Sequence, residues 1–467
     1  MRYIVCAAII VLSLSLVIGC AVNPVTGKRE VMFFSDAQEI DLGKNADPDI
    51  RWQFGGVYHD EQLAAYVNSV GQRAAAVSHR TGIQYHFTVV DSSIANAFAL
   101  PGGYIYITRG LLTMLDNEAQ LASVLGHEIG HVTARHGVKR LQSMLGSNLL
   151  LAAAVHVIAG GEDHQQSQAI IKTVGTVAIG TLSLGYSRAN EYQADELGTT
   201  YAYKAGYSPE GMVQLLGVLK SMHDREPWWV EEYFMSHPSS SKRIEAVNGQ
   251  IAQIPAEQKK DNLNQTEYKA KTRDLMVAQK AYGHYDKAEV YRKKGQYQEA
   301  LTEYDKALKL RSKMAPPHHG IGLVHYAQGK YRSAIDEYKA AVKINPDYVF
   351  AFNDMGMAYM SMDRSEEAVS VFTKAIEIYG NFGDAHANLG EAYYKLKQYS
   401  KAVEPLEMAV ALNENHPRAH ITLGLTYEAV GDTAKAVAEY EKAIMVAPDE
   451  EYTNTARQRL GEIKKDG

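Results

Sequence analysis

The rhythm of hydrophobic and polar positions changes several times along the chain. Residues 4–18 form one apolar run behind Arg2, too short to cross a bilayer comfortably, and read as the core of an export signal. Asn23 to Glu30 is rich in turn formers and predicts an extended tether. Ser35 stands as an N-cap ahead of the helical pattern that Glu39 and Ile40 begin. Tyr85 to Val90 alternates as a strand does, and Ala99 to Thr108 places Pro101-Gly102-Gly103 before Tyr-Ile-Tyr-Ile, a turn feeding a second strand. Helical periodicity then covers Glu118–Lys139, Leu141–Gly160, Gln166–Leu184 and Asn190–Ala205. The domain these elements predict is α+β and mostly α. Leu149–Ala159 and Ile170–Leu184 are strongly apolar, but the first is about half the length of a membrane span and the second carries Lys172. Both read as buried helices, with monotopic contact with a bilayer as the alternative.

Beyond Pro255 the composition turns to Lys, Gln, Asn and Glu, a charged helical linker, and then becomes periodic. A spacing of 34 aligns Gly295, Gly329, Asp363, Lys397 and Gly431, and with them Ala300, Ala334, Ala368, Ala402 and Ala436. The same frame aligns Tyr304, Tyr338, Phe372, Leu406 and Tyr440, then Ala307, Ala341, Ala375, Ala409 and Ala443. Small residues where two helices cross, a bulky one at the packing position, and Pro346 or Pro448 closing a unit are what the tetratricopeptide repeat requires. The expected organisation is a signal over 1–20, a tether over 21–34, a catalytic domain over 35–252 and a linker over 253–280. Five repeats follow over 281–450, then a capping helix over 451–467. The concave face of such a solenoid suits an extended peptide or a partner protein.

A net charge of −6 lacks the basic footprint of a nucleic-acid binder. The two cysteines are Cys6 and Cys20. Val17-Ile18-Gly19-Cys20 resembles the bacterial lipobox, in which the cysteine is lipidated and becomes the mature N-terminus; Ala21 after it implies the outer membrane. A cleaved secretory signal that happens to end near a cysteine is the alternative. With Cys20 as the anchor no cysteine remains for zinc, so metal ligands must be His and carboxylate.

The chemistry-bearing motif is His127-Glu128-Ile129-Gly130-His131. On a helix, residues four apart share a face, so both imidazoles reach one ion while Glu128 touches a water beside it. The preceding apolar positions Leu121, Val124 and Leu125 place this helix against the core, where an uncoordinated polar cluster is costly. A third ligand is needed. His136 is one candidate, but Ala134 and Gly137 stand where a metzincin has its Gly and third His. Glu191 is the better one, with Asp195 four residues on to accept the outer N–H of a ligand histidine.

Together these pieces resemble the gluzincin family that contains the prenyl-CAAX endopeptidase. The matching residues are Asn96-Ala97-Phe98-Ala99-Leu100-Pro101-Gly102-Gly103, His-Glu-Ile-Gly-His, Glu191 with Asp195, and Ser236-His237-Pro238 with Arg243-Ile244. With the repeats, the architecture is similar to the β-barrel assembly-enhancing branch of that family, whose members are periplasmic and unanchored; the lipobox departs from it. The resemblance implies that Asn96 to Leu100 is an edge strand on which substrate is laid as an added strand. It implies that His237, beyond the aromatic cluster Trp228, Trp229, Tyr233 and Phe234, reaches the zinc as a plug or stabilises the oxyanion. The expected function is a zinc endopeptidase of the cell envelope, one Zn2+ per chain, with Glu128 as general base. Its expected substrates are unfolded or misassembled envelope proteins, with outer-membrane assembly machinery as a partner of the repeats, a lipid anchor as the membrane contact and no nucleic acid. A chaperone or assembly adaptor with a latent protease domain is the rival from another class, and a membrane-embedded peptidase a third.

Overall fold

In the computed structural model, which describes residues 19–32, 34–144, 185–223, 241–448 and 450–466, the chain is α+β and mostly α and divides into two units, Met1–Val277 and Ala278–Gly467. The export-signal run 4–18, the two apolar stretches within 149–184, and the 228–238 segment with His237 lie outside the described residues. No described helix is long and apolar enough to cross a membrane.

The expected tether is a hairpin instead. Strands β1 (Gly19–Val22) and β2 (Arg29–Met32) pair antiparallel with Cys20 opposite Val31. Asn23 Oδ1 accepts from the backbone of Val25 and Thr26, and Gly27 takes the left-handed φ of 67° that the turn needs. Lys139 pairs with Glu30 at 2.6 Å, fastening this hairpin to the residues after the metal-site helix.

Helix α1 (Asp36–Gln53) starts in a capping box, Ser35 accepting from Gln38 N while the Gln38 side chain accepts from Ser35 N. Helix α2 (Glu61–Ala75) leads to a sheet of β3 (His86–Val90), β4 (Ala97–Leu100) and β5 (Tyr104–Thr108). Its order is β3-β5-β4, with β3 parallel to β5 and β4 antiparallel to it. The β4–β5 turn is clamped by α1: a Cβ on Gly43 would stand 2.1 Å from Pro101 O, and one on Gly102, at φ 77°, 2.5 Å from Ile40 Cα. Phe98 stacks between Phe54 and Tyr106 on the same side. Strand β4 is thereby fixed at the edge of the sheet.

Helix α3 (Glu118–Thr133), capped by Asn117, is buried at every position, as an all-round core helix must be. The pattern predicted helix through Lys139, but the chain breaks at Ala134–Arg135 and resumes as helix over 136–144. Arg135 takes φ 58° there and pairs with Asp36 and with Glu39 at 3.1 Å; Arg80 bridges the same two carboxylates at 2.7 and 2.6 Å. This ion cluster, buried at Arg80, Arg135 and Glu39 and open to solvent at Asp36, fixes the bend.

Helices α4 (Arg188–Lys204), α5 (Glu210–His223) and α6 (Ser241–Ala252) complete the first unit. The segment expected as a linker is packed against it rather than free. Leu263 O accepts from Ala119 N, Asn262 O from Ser208 N, and Tyr268 in α7 (Gln265–Lys271) is fully buried with its hydroxyl on Leu112 O at 2.5 Å. Aromatic Tyr268 meets Tyr66 of α2, which a charge pattern does not foretell.

Helix α8 (Arg273–Lys293) leads into paired helices: α9 (Tyr297–Leu310), α10 (Ala315–Ala327), α11 (Tyr331–Ile344), α12 (Val349–Met360), α13 (Ser365–Ile378), α14 (Gly383–Lys395), α15 (Tyr399–Leu412), α16 (Pro417–Ala429) and α17 (Thr433–Val446). The aligned positions carry the packing. A Cβ on Gly322, Gly356, Gly390 or Gly424 would stand 2.3–2.5 Å from Tyr338, Phe372, Leu406 or Tyr440, so a glycine lets each bulky side chain lie against helix backbone. Gly295, Gly329, Asp363, Lys397 and Gly431 close each hairpin in the left-handed region, at φ 73°, 70°, 56°, 59° and 89°. Helix α18 (Asn454–Asp466) covers the last hairpin with Ala456 and Leu460.

Candidate metal centre

Backbone contact between α3 and α4 brings the site together. A Cβ on Gly126 would lie 2.9 Å from Gly198 O, one on Gly198 2.7 Å from His127 N, and one on Gly130 3.2 Å from Ala194 Cα. Side chains at these points would hold the helices apart. Because the glycines adjoin the histidines in sequence, closest approach points His127 and His131 at Glu191, one turn before Asp195.

The three ligand atoms lie within 4.8 Å of one another, all buried. His131 Nε2 stands 3.0 Å from His127 Nε2 and 3.4 Å from Glu191 Oε1; His127 Nε2 stands 3.7 Å from Glu191 Oε2. Glu128 is fully buried beside them on the same helix. Two imidazoles turning the same nitrogen toward one carboxylate form a donor set that fits a borderline divalent cation, and three protein donors leave a position open for chemistry. Burial holds His131 well below the usual imidazole range, so it remains the neutral form a ligand must be.

Each imidazole is held from behind. His127 Nδ1 is 3.0 Å from Asp195 Oδ1. Arg243 of α6 donates to both Asp195 oxygens at 2.6 and 2.7 Å and reaches Glu191 Oε2 at 3.0 Å. Burial alone would raise the Asp195 carboxyl; its bonds to Arg243 and His127 outweigh that and hold it below the ordinary range. His131 Nδ1 meets His136 Nδ1 at 2.9 Å, and His136 Nε2 meets Gln193 Oε1 at 2.9 Å. His136, weighed as a third ligand from the sequence, therefore stands behind His131 on the side away from the converging donors. Burial takes its pKa down to about 4. The ring of Tyr186 stacks on His131 at 3.9 Å, with the Arg140 guanidinium over it; burial, then the Glu128 carboxylate, push its phenol upward.

A small cavity bordered by Leu100, Pro101, His131, Val138 and Tyr186 lies between His131 and the end of β4. Residues Ala97 to Leu100 of β4 are buried, and Asn96 is tied to Thr108 through its backbone N and O. No further strand pairs with the side of β4 away from β5 among the described residues.

Comparison with known proteins adds to this geometry. A profile of peptidase family M48 matches residues 61–251, and metalloprotease YcaL of Escherichia coli (strain K12) is 30% identical over 198 residues, 41% of this chain and 74% of that one. The chain belongs to peptidase family M48. Tetratricopeptide-repeat profiles match 288–329, 322–363, 351–382, 383–416 and 417–450. The beta-barrel assembly-enhancing protease of the same strain is 28% identical over 226 residues, 47% of this chain and 45% of that one. The mitochondrial metalloendopeptidase OMA1 of Arabidopsis thaliana is 29% identical over 202 residues, 43% and 39%. The chain thus spans less than half the length of these two relatives. A metal is what the M48 family implies, and His127, His131 and Glu191 fit one.

Arg243, Gln193 and Tyr186 are the site neighbours to which sequence reasoning gave no role. Arg243 was part of the family resemblance without a function attached. Gln193 lies off the helix face of Glu191 and Asp195, so periodicity passes over it.

Proposed function

We propose that this chain is a zinc-dependent endopeptidase of the bacterial cell envelope that degrades misfolded or stalled envelope and outer-membrane proteins. The observation that carries the reading is the convergence of His127, His131 and Glu191 within 4.8 Å in a buried site beside Glu128. Zinc held there supplies a Lewis acid for the scissile carbonyl and acidity for the attacking water. Glu128 takes the proton of that water and returns it to the leaving amine. Asp195 and Arg243 keep His127 and Glu191 aimed. The outer side of β4 takes substrate backbone as an added strand, in the orientation its pairing with β5 leaves available.

The same reading gives His237 the role of a plug on the metal or an oxyanion donor, and makes Cys20 the lipid anchor at the outer membrane. The repeats recruit client or assembly machinery. Supporting it, the E. coli relative is by name a protease that enhances β-barrel assembly. The test is zinc content and casein hydrolysis of the purified full chain, compared with Glu128→Gln and His237→Ala. Stoichiometric zinc, loss of hydrolysis in Glu128→Gln and a gain in His237→Ala are expected. Zinc-loaded wild type and His237→Ala that both leave casein intact would move the adaptor reading to first place.

A further inference from the structure

The imidazoles of His131 and His136 admit one arrangement of protons, and this inference rests on the metal reading above. Two ring nitrogens 2.9 Å apart share one proton, so one is N–H and the other a lone pair. His131 turns Nε2 toward His127 and Glu191. A neutral imidazole that ligates through Nε2 carries its proton on Nδ1. His131 Nδ1–H therefore donates, His136 Nδ1 accepts, and a neutral His136 keeps its proton on Nε2. That atom faces Gln193 Oε1 at 2.9 Å, the acceptor end of the amide. Reversing any one of the three groups sets two donors or two lone pairs against each other.

We propose that His136 and Gln193 are positioning residues for the ligand His131: His136 selects the tautomer that leaves the Nε2 lone pair for the metal, and Gln193, with Oε1 turned to it, accepts the Nε2 proton of His136 and holds that ring in place. The chain of bonds ends on α4, two residues from Glu191. Both imidazoles of α3 are thus registered to the helix that carries the carboxylate donor, His127 through Asp195 and His131 through His136 and Gln193. The left-handed bend at Arg135 is what lets His136 fold back behind His131. With an apolar group in place of His136, His131 would hold its proton on either nitrogen, and the Nε2–H form cannot ligate.

The experiment uses the purified full chain as wild type, His136→Phe, His136→Asn and Gln193→Leu. Zinc dissociation constants are measured by chelator competition, the visible spectrum is recorded with Co2+ in place of zinc, and melting of each metal-free protein reports the fold. His136→Phe should weaken zinc about 10–100-fold and alter the cobalt spectrum, whereas His136→Asn, whose Oδ1 still accepts from His131, should stay within about threefold of wild type. Gln193→Leu should fall between them. Equal losses in His136→Phe and His136→Asn would reduce His136 to packing and overturn the proposal, as would zinc affinity and cobalt spectra unchanged in both His136→Phe and Gln193→Leu. If His136→Phe does not fold, Gln193→Leu decides alone: weaker zinc supports the relay, unchanged zinc overturns it. Wild type that binds no stoichiometric zinc removes both this inference and the function above. Wild type that loads normally beside indistinguishable variants removes this inference only.

Discussion

Arg243 grips Asp195 through both carboxylate oxygens, at 2.6 and 2.7 Å, with each side chain 3% exposed or less. A bidentate, buried guanidinium–carboxylate pair is rigid in a way a lysine cannot copy. Because Asp195 in turn holds His127, the pair connects α6 to the donor set. Replacing Arg243 with Ala strips the buried Asp195 and Glu191 carboxylates of their guanidinium partner, and the expected cost is about 3–5 kcal/mol with loss of zinc. Arg243→Lys should recover only part of either. Urea unfolding and zinc content of the two variants check this; a lysine variant equal to wild type in both would sink the argument.

The hairpin-closing positions of the repeats make a prediction about stability. Asp363 and Lys397 occupy the left-handed region where three counterparts are glycine. An L-residue there is strained, so Asp363→Gly and Lys397→Gly should each stabilise the array by about 0.5–1 kcal/mol, the strain relieved exceeding the entropy glycine adds to the unfolded chain. Denaturant midpoints that fall in both variants would contradict it.

Two glycines should respond to alanine in opposite directions. A Cβ on Gly356 would stand 2.4 Å from the buried Phe372 ring, so Gly356→Ala overpacks and should lose about 1–3 kcal/mol despite better helix propensity. Gly283 has open space in the direction of a Cβ, and Gly283→Ala should gain about 0.5–1 kcal/mol. Pairing Gly356→Ala with Phe372→Leu should return part of the loss in the same urea titration.

Acid sensitivity of the first unit should trace in part to Glu118. Burial would raise this carboxyl, but hydrogen bonds from Tyr207, Tyr66 and Arg73 overcome it and the folded pKa lies below 4.5. A lowered folded pKa means a contribution present at neutral pH and lost as pH falls from 4.5 through the folded value. Glu118→Gln should therefore be less stable than wild type at pH 7 and fall less steeply below pH 4.5. Unfolding midpoints taken across that range test it; parallel curves would assign the acid limb to other groups.

How much of this was legible follows from where each signal resides. His127 and His131 announce themselves because both the ligand spacing and the apolar approach of Leu121, Val124 and Leu125 are local. Glu191 and Asp195 needed the zincin helix as context, since an acidic pair four apart is otherwise an ordinary solvated face. The repeats were readable because one packing problem, a bulky side chain against helix backbone, recurs every 34 residues. Arg135 escaped: nothing in its neighbourhood signals a left-handed residue, and its partners Asp36 and Glu39 lie a hundred residues upstream. Tyr268 escaped for the same reason, its burial depending on Tyr66 and Leu112. The hairpin at Cys20 to Val31 was hidden behind turn formers that suit a tether equally well.

The complete burial of α3 bears on when the donor set can exist. A surface helix could present its histidines by itself, but this one is covered by its neighbours at every position, and the carboxylate donor arrives on a helix more than fifty residues later. The donor set is therefore a product of tertiary packing, present only where α4 lies against α3. A chain that has been made only as far as α3 therefore holds two of the three donors and no centre.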